Sequence, residues 1–445
     1  MKYQISILLS VLFLSGQTVF SQKQWSLTEC IDYAHANNLS VKQAQYQASI
    51  ASNDLFQSKL NLLPDLNANA GRTYSYGHIL DRNTNEFGNS SNFSDNYSLN
   101  TSVRLFSGLT NYNSIKLNEY NTLSKMQEVE KEKIELTLDI ASAYLQILFS
   151  RELLDVAISQ RDIAQLQVER TSKLVEAGSV ARGDLLEIKA QLAAEEYNVT
   201  SKENEKEIAY LNLTQLLDLK SIEGFDVVIP ASIDSNLSSP VTDVSIVYSE
   251  ALLFLPHIKS AEYLVEANEK YYLVQKGRLS PSLLASGSWS TGYSTSNVDP
   301  GGIRYPYNEQ LDNFSGKSLT FGLQVPIFNK WEVKNAISNA RIGVMSAENT
   351  LNLTKQQLYK EIQQSYIDAV SSSDKYKSAY EAVESYREAF AYTEQKFNVG
   401  IVNSVDYNIA KNNYIKAQSE LLKAKYEYVF AVKILDFYRG IPITL

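Results

Sequence analysis

Residues able to perform catalysis or bind metals are few and scattered along this chain of 445 residues. Its three histidines, His35, His78 and His257, lie far apart in the sequence. Because Cys30 is the only cysteine, no disulfide can form within the chain. The sequence contains no Walker loop, no CxxC motif and no HExxH motif. We therefore predict a protein that is not an enzyme and that has neither a cofactor nor a metal site.

The composition also argues against nucleic acid as a partner, because the formal net charge is −9 and phosphate binding needs a basic face. A hydrophobic content of 44% excludes wholesale disorder. Only 9 prolines and 18 glycines interrupt the chain, which favours long helices. The elements that position any functional residue are therefore expected to be mainly helical.

The first 21 residues have the pattern of a secretory signal peptide. Lys2 supplies the positive charge, Ile5 to Phe20 the apolar stretch, and Ser21 the small residue before a cleavage site. After it, no window approaches the 18 or so apolar residues that a membrane-spanning helix needs. We therefore expect an exported chain without a membrane helix.

The sequence contains an internal duplication. The segment Val41–Ala44 matches Ile258–Ala261 at an offset of 217 residues, and Gly178 matches Gly400 at an offset of 222. Further matches keep the same order, so coincidence is excluded. We predict a first repeat over residues 22–219, a linker over 220–243, a second repeat over 244–440 and a short tail over 441–445.

Each repeat has the same predicted parts. A first helix covers about 27–62 in one repeat and 244–279 in the other, and each is followed by a proline that forces extended geometry. Proline-free stretches at about 109–177 and 331–399 predict helices on the order of 100 Å long. Glycine ends both, and return helices follow at about 183–217 and 403–438.

Between these helices, alternating apolar and polar residues predict four strands, near 66–76, 97–105, 283–293 and 318–325. In the fourth strand, Leu319, Phe321 and Leu323 alternate with small polar residues. Polar segments at about 77–96 and 294–314 are expected to be the hairpin loops.

Such strands suit either a sandwich face or a membrane barrel. The export signal, the lack of a large sheet partner and aromatic residues near the strand ends favour the barrel. These aromatic residues are Tyr74, Tyr76, Tyr97, Phe106, Trp289 and Tyr293. Because four strands cannot close a barrel in lipid, the chain must share one with copies of itself. Three copies would give 12 strands and 12 tunnel helices, although this arithmetic also permits a dimer.

Several short motifs carry a family resemblance. They are Leu63-Pro64, Leu105–Gly108, Val325–Phe328, and the paired turns Val175–Ser179 with Asp184 and Phe397–Ile401 with Asp406. In their order, duplication and spacing the chain resembles the TolC-type outer-membrane efflux protein family, from Trp25 to Gly440.

The resemblance implies a mainly α-helical subunit of a homotrimer, with a 12-stranded β-barrel in the outer-membrane lipid and a 12-helix tunnel in the periplasm. Such a duct does no chemistry. An inner-membrane RND or ABC transporter supplies the energy for efflux or type I secretion, and a periplasmic membrane-fusion adaptor docks on the tunnel. The alternative is a periplasmic coiled-coil adaptor or structural protein without a barrel, which explains the helices but not the strands.

The resemblance also implies roles for the turns. Adaptor docking falls on Ala177, Gly178, Ser179, Val399, Gly400 and Ile401, although glycine ends helices in any protein. The periplasmic gate falls on Asp406 and on its counterpart Asp184, although the helix dipole alone favours an acid there. Ile409 and Val402 depart from the family pattern, because they occupy a second acidic position and a gate-arginine position.

Overall fold

The computed structural model describes residues 24–80, 86–230 and 243–444. The predicted signal peptide and most of the predicted linker lie outside the described residues. The chain divides into two compact units. Of the described residues, the helical unit comprises 24–44, 129–230, 243–255 and 355–444, and the sheet unit comprises 45–80, 86–128 and 256–354.

Helices dominate the described chain. They are α1 (Leu27–Asn37), α2 (Leu39–Leu60), α3 (Thr110–Glu176), α4 (Arg182–Leu216), α5 (Val244–Phe254), α6 (Pro256–Gly277), α7 (Tyr307–Asn313), α8 (Glu332–Asn398) and α9 (Ser404–Tyr438). The two longest, α3 and α8, have 67 residues each, as the proline-free stretches predicted. No helix in the described ranges is long and apolar enough to cross a membrane.

The prediction of one continuous first helix in each repeat is wrong, because both are broken. Asn38 ends α1 in an extended conformation, and its side-chain oxygen accepts a hydrogen bond from the Ser40 amide (2.8 Å) at the start of α2. In the second repeat Leu255 is extended before Pro256, as the residue before a proline usually is. An amide side chain and a proline thus make the same break.

The sheet unit contains one antiparallel sheet of four strands. In the order in which they pair, the strands are β2 (Asn67–Leu80), β3 (Phe87–Phe106), β5 (Ser282–Ser294) and β6 (Gly316–Gln324). Two predicted loops are partly structured instead. The first hairpin continues through much of residues 77–96, and α7 lies within residues 294–314. Short polar residues that alternate with Gly do not distinguish a solvated strand from a loop.

The core of the helical unit lies where the first described residues and the start of the linker pack against the long helices. Here β1 (Gln24–Trp25) pairs in parallel with β4 (Asp226–Val227). Tyr144, which is 2% exposed, donates its hydroxyl to the carbonyls of Val228 (2.6 Å) and Trp25 (3.1 Å). Cys30 is fully buried in the same cluster and is a packing residue.

The duplication is visible in the element bounds. Helices α1 and α2 correspond to α5 and α6 at an offset of 217 residues, from Leu27 to Val244. Helices α3 and α4 correspond to α8 and α9 at an offset of 222, from Thr110 to Glu332. Left-handed residues also recur in pairs: Gly108-Leu109 with Lys330-Trp331, and Asp218 with Gly440. The backbone therefore repeats even where the residue types differ.

Candidate functional site

The turns that end α3 and α8 have the same hydrogen-bond pattern. Gly178 has φ +72° and Gly400 has φ +78°, values that favour glycine. The Ser179 amide donates to the Leu174 carbonyl (2.9 Å), and the Ile401 amide donates to the Lys396 carbonyl (2.9 Å). The Gly178 amide donates to the Val175 carbonyl (3.0 Å) and the Gly400 amide to the Phe397 carbonyl (3.1 Å), which completes a Schellman motif in each turn. The six residues predicted for docking therefore form two equivalent turns.

The flanks of the turns differ in chemistry. Val399 is 70% exposed and Ile401 is 71% exposed, whereas the corresponding Ala177 and Ser179 are small. The second turn therefore exposes more apolar surface than the first.

The two predicted gate acids occupy the same position at the starts of α4 and α9. Asp406 is exposed, and its backbone amide donates to Oδ1 of Asn403 (2.9 Å), the N-cap residue of α9. The amide of Asp184 donates instead to the Ala181 carbonyl (3.1 Å), and Ala181 provides no side-chain cap. Both carboxylates lie in a first helical turn, where the dipole favours negative charge.

An aromatic cluster lies beside Asp406. Tyr407 is 2% exposed, and its ring stacks on Phe397 (4.7 Å between centroids) and packs against Phe390 (5.5 Å). Phe390 also stacks on Tyr414 (5.9 Å). Burial, followed by the nearby Glu394 carboxylate, raises the pKa of the Tyr407 hydroxyl. We call Phe390, Phe397, Tyr407 and Tyr414 the aromatic box.

The polar contacts that join the α8–α9 hairpin to the α3–α4 hairpin include four in the half of the hairpins nearer the turns. The pairs are Arg170 with Asn398, Gln167 with Tyr407 (3.4 Å), Glu187 with Ser404 (3.0 Å) and Glu195 with Lys411 (3.2 Å). The last pair is buried, because the side chain of Lys411 is 2% exposed and that of Glu195 is 9% exposed. A buried ion pair is costly to break, so this contact holds the hairpins together.

Farther along the helical unit, Asp226 anchors the described part of the linker. Its carboxylate accepts hydrogen bonds from Tyr210 (2.7 Å), Arg151 (2.8 Å) and Gln24 (3.1 Å). Burial alone would raise the pKa of Asp226, but hydrogen bonds from Tyr210, the Val227 amide and Gln24 lower it overall. Burial and the bond to Asp226 raise the pKa of Tyr210 to about 12. We call this group the Asp226 clamp.

In the sheet unit, the strand register separates the side chains into an apolar face and a polar face. Cross-strand partners share a face, so each face can be read across all four strands. The apolar face includes Ala70, Tyr97, Leu99, Val103, Ala285, Trp289, Leu319, Phe321 and Leu323. The polar face includes Asn67, Asn69, Thr73, Asn96, Ser98, Asn100, Ser286, Ser288, Ser290, Ser318 and Thr320. Within the four described strands, Arg104 is the charged residue of the polar face.

The aromatic residues predicted near strand ends lie mostly inside longer strands. Tyr97 faces Thr291, Trp289 faces Leu99, and Tyr293 faces Asp95. Tyr74 and Tyr76 lie on the apolar face beyond Arg72, and Phe106 lies at the other end of β3, after a bulge. The predicted set therefore spans the sheet and does not form two rows.

Charged residues interrupt the apolar face at an ion pair in the first hairpin and at Lys317, which lies opposite Trp289. Arg72 donates to both carboxylate oxygens of Asp95 (2.6 and 2.7 Å), and Asp95 is 2% exposed. The guanidinium also lies over the Phe93 ring (4.8 Å). Tyr307 of α7 packs on Tyr293 (4.9 Å between centroids) and bonds the Tyr97 hydroxyl (2.8 Å).

Sequence reasoning missed the aromatic box, the Glu195–Lys411 pair and the Arg72–Asp95 pair. The box had a signal, because Phe390 and Phe397 are seven residues apart, as are Tyr407 and Tyr414. Arg72 was only an interruption of an alternating pattern, and its partner is 23 residues away.

Two of the three histidines form hydrogen bonds with neighbouring polar side chains. His35 bonds Thr137 Oγ1 (2.9 Å), and His78 bonds Asn89 Oδ1 (3.2 Å). Among the described residues, no group of three or more His, Cys, Asp or Glu side chains is placed to hold a metal ion.

The family model described as "Outer membrane efflux protein" matches residues 30–218 and again residues 247–440. The chain belongs to the outer membrane efflux protein family. This family comprises exit ducts and is not a class of enzymes. The protein is accordingly an outer-membrane duct with two structural repeats, and its helical part extends into the periplasm.

Individual members of the efflux family are similar over nearly the whole chain. Outer membrane protein TolC of Escherichia coli is 23% identical over 96% of this chain and 84% of its own length. Proteases secretion protein PrtF of Dickeya chrysanthemi is 21% identical over 99% of this chain and 93% of its own.

Among solved structures, the Campylobacter jejuni CmeC outer membrane channel has the same fold, with a TM-score of 0.78 at 16% identity. The match covers 93% of this chain and 86% of that one. The prediction of a TolC-type fold with two repeats is confirmed.

Proposed function

We propose that three copies of this chain form one passive exit duct, with 12 strands closing a barrel in the outer membrane and 12 helices lining a periplasmic tunnel. The two-faced sheet supports this proposal, because its apolar face suits lipid and its Ser- and Asn-rich face suits a watery lumen. The four-stranded sheet cannot close alone, and open edges are not tolerated in lipid.

The Arg72–Asp95 ion pair marks the outer limit of the apolar band in this proposal, because a charged pair is disfavoured in the lipid interior. From Asp95 to Phe106, β3 would run roughly 37 Å at 3.4 Å per residue, or about 26 Å of height at a 45° tilt. That height matches the apolar band of about 25 Å in outer-membrane barrels. Tyr97, Trp289 and Tyr293 would then lie at the outer interface and Phe106 at the inner one, with Tyr74 and Tyr76 beyond the lipid.

A periplasmic adaptor would dock on the two turns, at Ala177, Gly178 and Ser179 and at Val399, Gly400 and Ile401. The exposed Val399 and Ile401 side chains support the second turn as the main contact. An inner-membrane RND or ABC transporter would supply the energy for efflux or type I secretion.

Purification of the native complex in mild detergent, followed by mass spectrometry, tests these partners. We expect an adaptor and a transporter to co-purify with the wild type and to be lost from Val399→Ser/Ile401→Ser. The matched Ala177→Ser variant in the first turn should lose less of both partners, because Ala177 offers a smaller apolar side chain than Val399 or Ile401. Retention of both partners by the double variant would remove the second turn from the docking surface.

Asp406, with Asp184 in a lesser role, would form the periplasmic gate. Six carboxylates around a constriction of a trimer would favour cations. In planar bilayers, Asp406→Ala should weaken block by a trivalent cation added to the periplasmic side by about tenfold, and Asp184→Ala should weaken it less. Unchanged block in Asp406→Ala would remove this residue from the gate.

We also propose that residues 1–21 are removed on export and that the repeats occupy residues 22–219 and 244–440, joined by residues 220–243 and followed by a tail over 441–445. N-terminal sequencing of the mature protein should begin at Gln22. A mature chain that begins at Met1 would contradict the cleavage.

A further inference from the structure

The two outer strands of the sheet are left open within the described chain. β2 pairs only with β3, and β6 pairs only with β5. Every residue of β6 is exposed, and so is every residue from Asn67 to His78 in β2. The exposed residues of these two strands include large apolar ones: Leu319 is 70% exposed, Phe321 63% and Tyr74 57%. These edges require partner strands.

The repeat offsets predict the pairing inside the chain. Adding 217 to β2 residues and 222 to β3 residues converts the first hairpin into the second. The pair Asn67–Asn100 becomes Leu284–Gly322, which is an observed pair of β5 and β6. Likewise Asn69–Ser98 becomes Ser286–Thr320, which is also observed. The two hairpins therefore have the same register.

The β3–β5 pairing joins the first repeat to the second, and its counterpart would join β6 to β2 of a second copy. Here 222 is added to the β3 residue and 217 is subtracted from the β5 residue. The observed pair Ser98–Ser290 then becomes Thr320 and Thr73, and Asn96–Gly292 becomes Ser318 and Ser75. We infer that β6 pairs antiparallel with β2 of the next subunit, with Thr320 opposite the partner subunit's Thr73 and Ser318 opposite the partner subunit's Ser75. The inference rests on the proposed barrel and specifies how it closes.

The inferred register keeps each face of the sheet continuous. Thr320 and Ser318 lie on the polar face, as do the residues assigned opposite them. On the apolar face, Leu319 lies opposite the partner subunit's Tyr74, so both exposed side chains gain a neighbour. A slip of one residue would place Leu319 against a polar-face residue and mix the faces.

The junctions between strands and long helices support the same partner independently. A Cβ atom added to Gly108, before α3, would lie 2.4 Å from the Gly277 carbonyl oxygen at the end of α6. The repeat offsets convert this contact into Lys330 and Leu60. In one chain Lys330 and the next residue, Trp331, are exposed, and Leu60 is 39% exposed. Gly108 and Gly277 thus pack closely within the chain, whereas the corresponding Lys330 and Leu60 are exposed, as expected if another subunit packs there.

Cysteine cross-linking in outer membranes tests the register, with the full chain in a Cys30→Ala background. The test variants are Ser75→Cys/Ser318→Cys and Thr73→Cys/Thr320→Cys. Directly opposed residues lie 4.5–5.5 Å apart at Cα, within the reach of a disulfide, whereas diagonal neighbours lie roughly 7–8 Å apart at the limit of that reach. Ser75→Cys/Thr320→Cys is therefore the shifted control. Ser98→Cys/Ser290→Cys is the control for cross-linking within one chain.

After mild oxidation, both test variants should give a covalent ladder on a non-reducing gel that ends at three chains, with at least fivefold more product than the shifted control. The Ser98→Cys/Ser290→Cys control should remain a monomer band. More product from the shifted control would overturn the register. A ladder that ends at two chains would contradict the trimer and keep the register. Protein absent from the outer membrane would instead contradict the proposed duct.

Discussion

The two helical hairpins have the same bounds at an offset of 222 residues, yet their ends differ in chemistry. The second hairpin has an Asn403 cap and the aromatic box. The first has Ala181 without a side-chain cap. At the positions of the aromatic box the first hairpin has Val168, Val175, Leu185 and Leu192. Helix and turn formation need only the shared pattern, so the added aromatic and polar groups serve another purpose.

That purpose is to hold the second hairpin against the first. The residues that α8 and α9 contribute to the four contacts are Asn398, Ser404, Tyr407 and Lys411. Their counterparts in the first repeat are Glu176, Arg182, Leu185 and Lys189, of which only the lysine is the same. Lys189 is exposed, whereas Lys411 is buried. The comparison indicates that groups specific to the second hairpin hold it against the first. We call the four contacts of Asn398, Ser404, Tyr407 and Lys411 the latch.

The largest stability effect is expected at the buried ion pair. Lys411→Met leaves the Glu195 carboxylate buried without its cation, which should reduce the free energy of unfolding by about 3–5 kcal/mol. The matched Lys189→Met variant should change it by less than about 0.5 kcal/mol, because this residue is exposed. Thermal unfolding followed by circular dichroism measures both.

Adding Glu195→Leu to Lys411→Met should recover most of the loss, because the unpaired charge is then removed. If Lys189→Met proves as harmful as Lys411→Met, the two hairpins are not different in the way described.

The turns should respond equally in both repeats. Gly178→Ala and Gly400→Ala place a side chain at a left-handed φ, at a cost of about 1–2 kcal/mol each, and an added Cβ meets nothing within 4 Å at either site. Gly183→Ala, where φ is not left-handed, is the control and should not destabilise. Denaturant unfolding would reveal an unequal response of the two turns, which would break their equivalence.

The caps should respond in opposite directions. Asn403→Ala removes the bond to the Asp406 amide and should cost about 1 kcal/mol. Ala181→Asn introduces the same cap in the first repeat and should add about 1 kcal/mol. Thermal melts of the two single variants and the double variant measure this exchange. A loss of stability in Ala181→Asn would show that the two helix starts differ in more than the cap.

The smallest effect at neutral pH concerns the Asp226 clamp, whose carboxylate lies outside both helical hairpins. The folded pKa of Asp226 is lowered below its ordinary value of 3.8, so its contribution is present above about pH 3.8 and is lost as pH falls through the folded pKa. Unfolding measured from pH 6 to pH 3 should show a weaker acid dependence in Asp226→Asn than in the wild type. Identical pH profiles would contradict this contribution.

Much of the fold was predictable because the signals are local. The absence of proline indicates the long helices, glycine marks where they end, and alternation marks the strands. The break at Leu255 had a signal that the prediction overlooked, because Pro256 restricts the residue before it to an extended conformation. The break at Asn38 was not predicted, because an asparagine that caps a helix also occurs within helices. The Glu195–Lys411 pair joins residues 216 apart, and nothing in the local pattern of either residue indicates the other.

Single-channel conductance of Tyr407→Leu in planar lipid bilayers tests the latch most directly. The substitution gives the second hairpin the residue that the first has at Leu185, and it removes the buried ring and its bond to Gln167. We predict discrete conductance steps for the wild type and steps at least twofold larger for Tyr407→Leu, with Leu185→Ala close to the wild type. Equal conductance of the wild type and Tyr407→Leu would contradict the latch, and the absence of any channel in the wild type would contradict the duct.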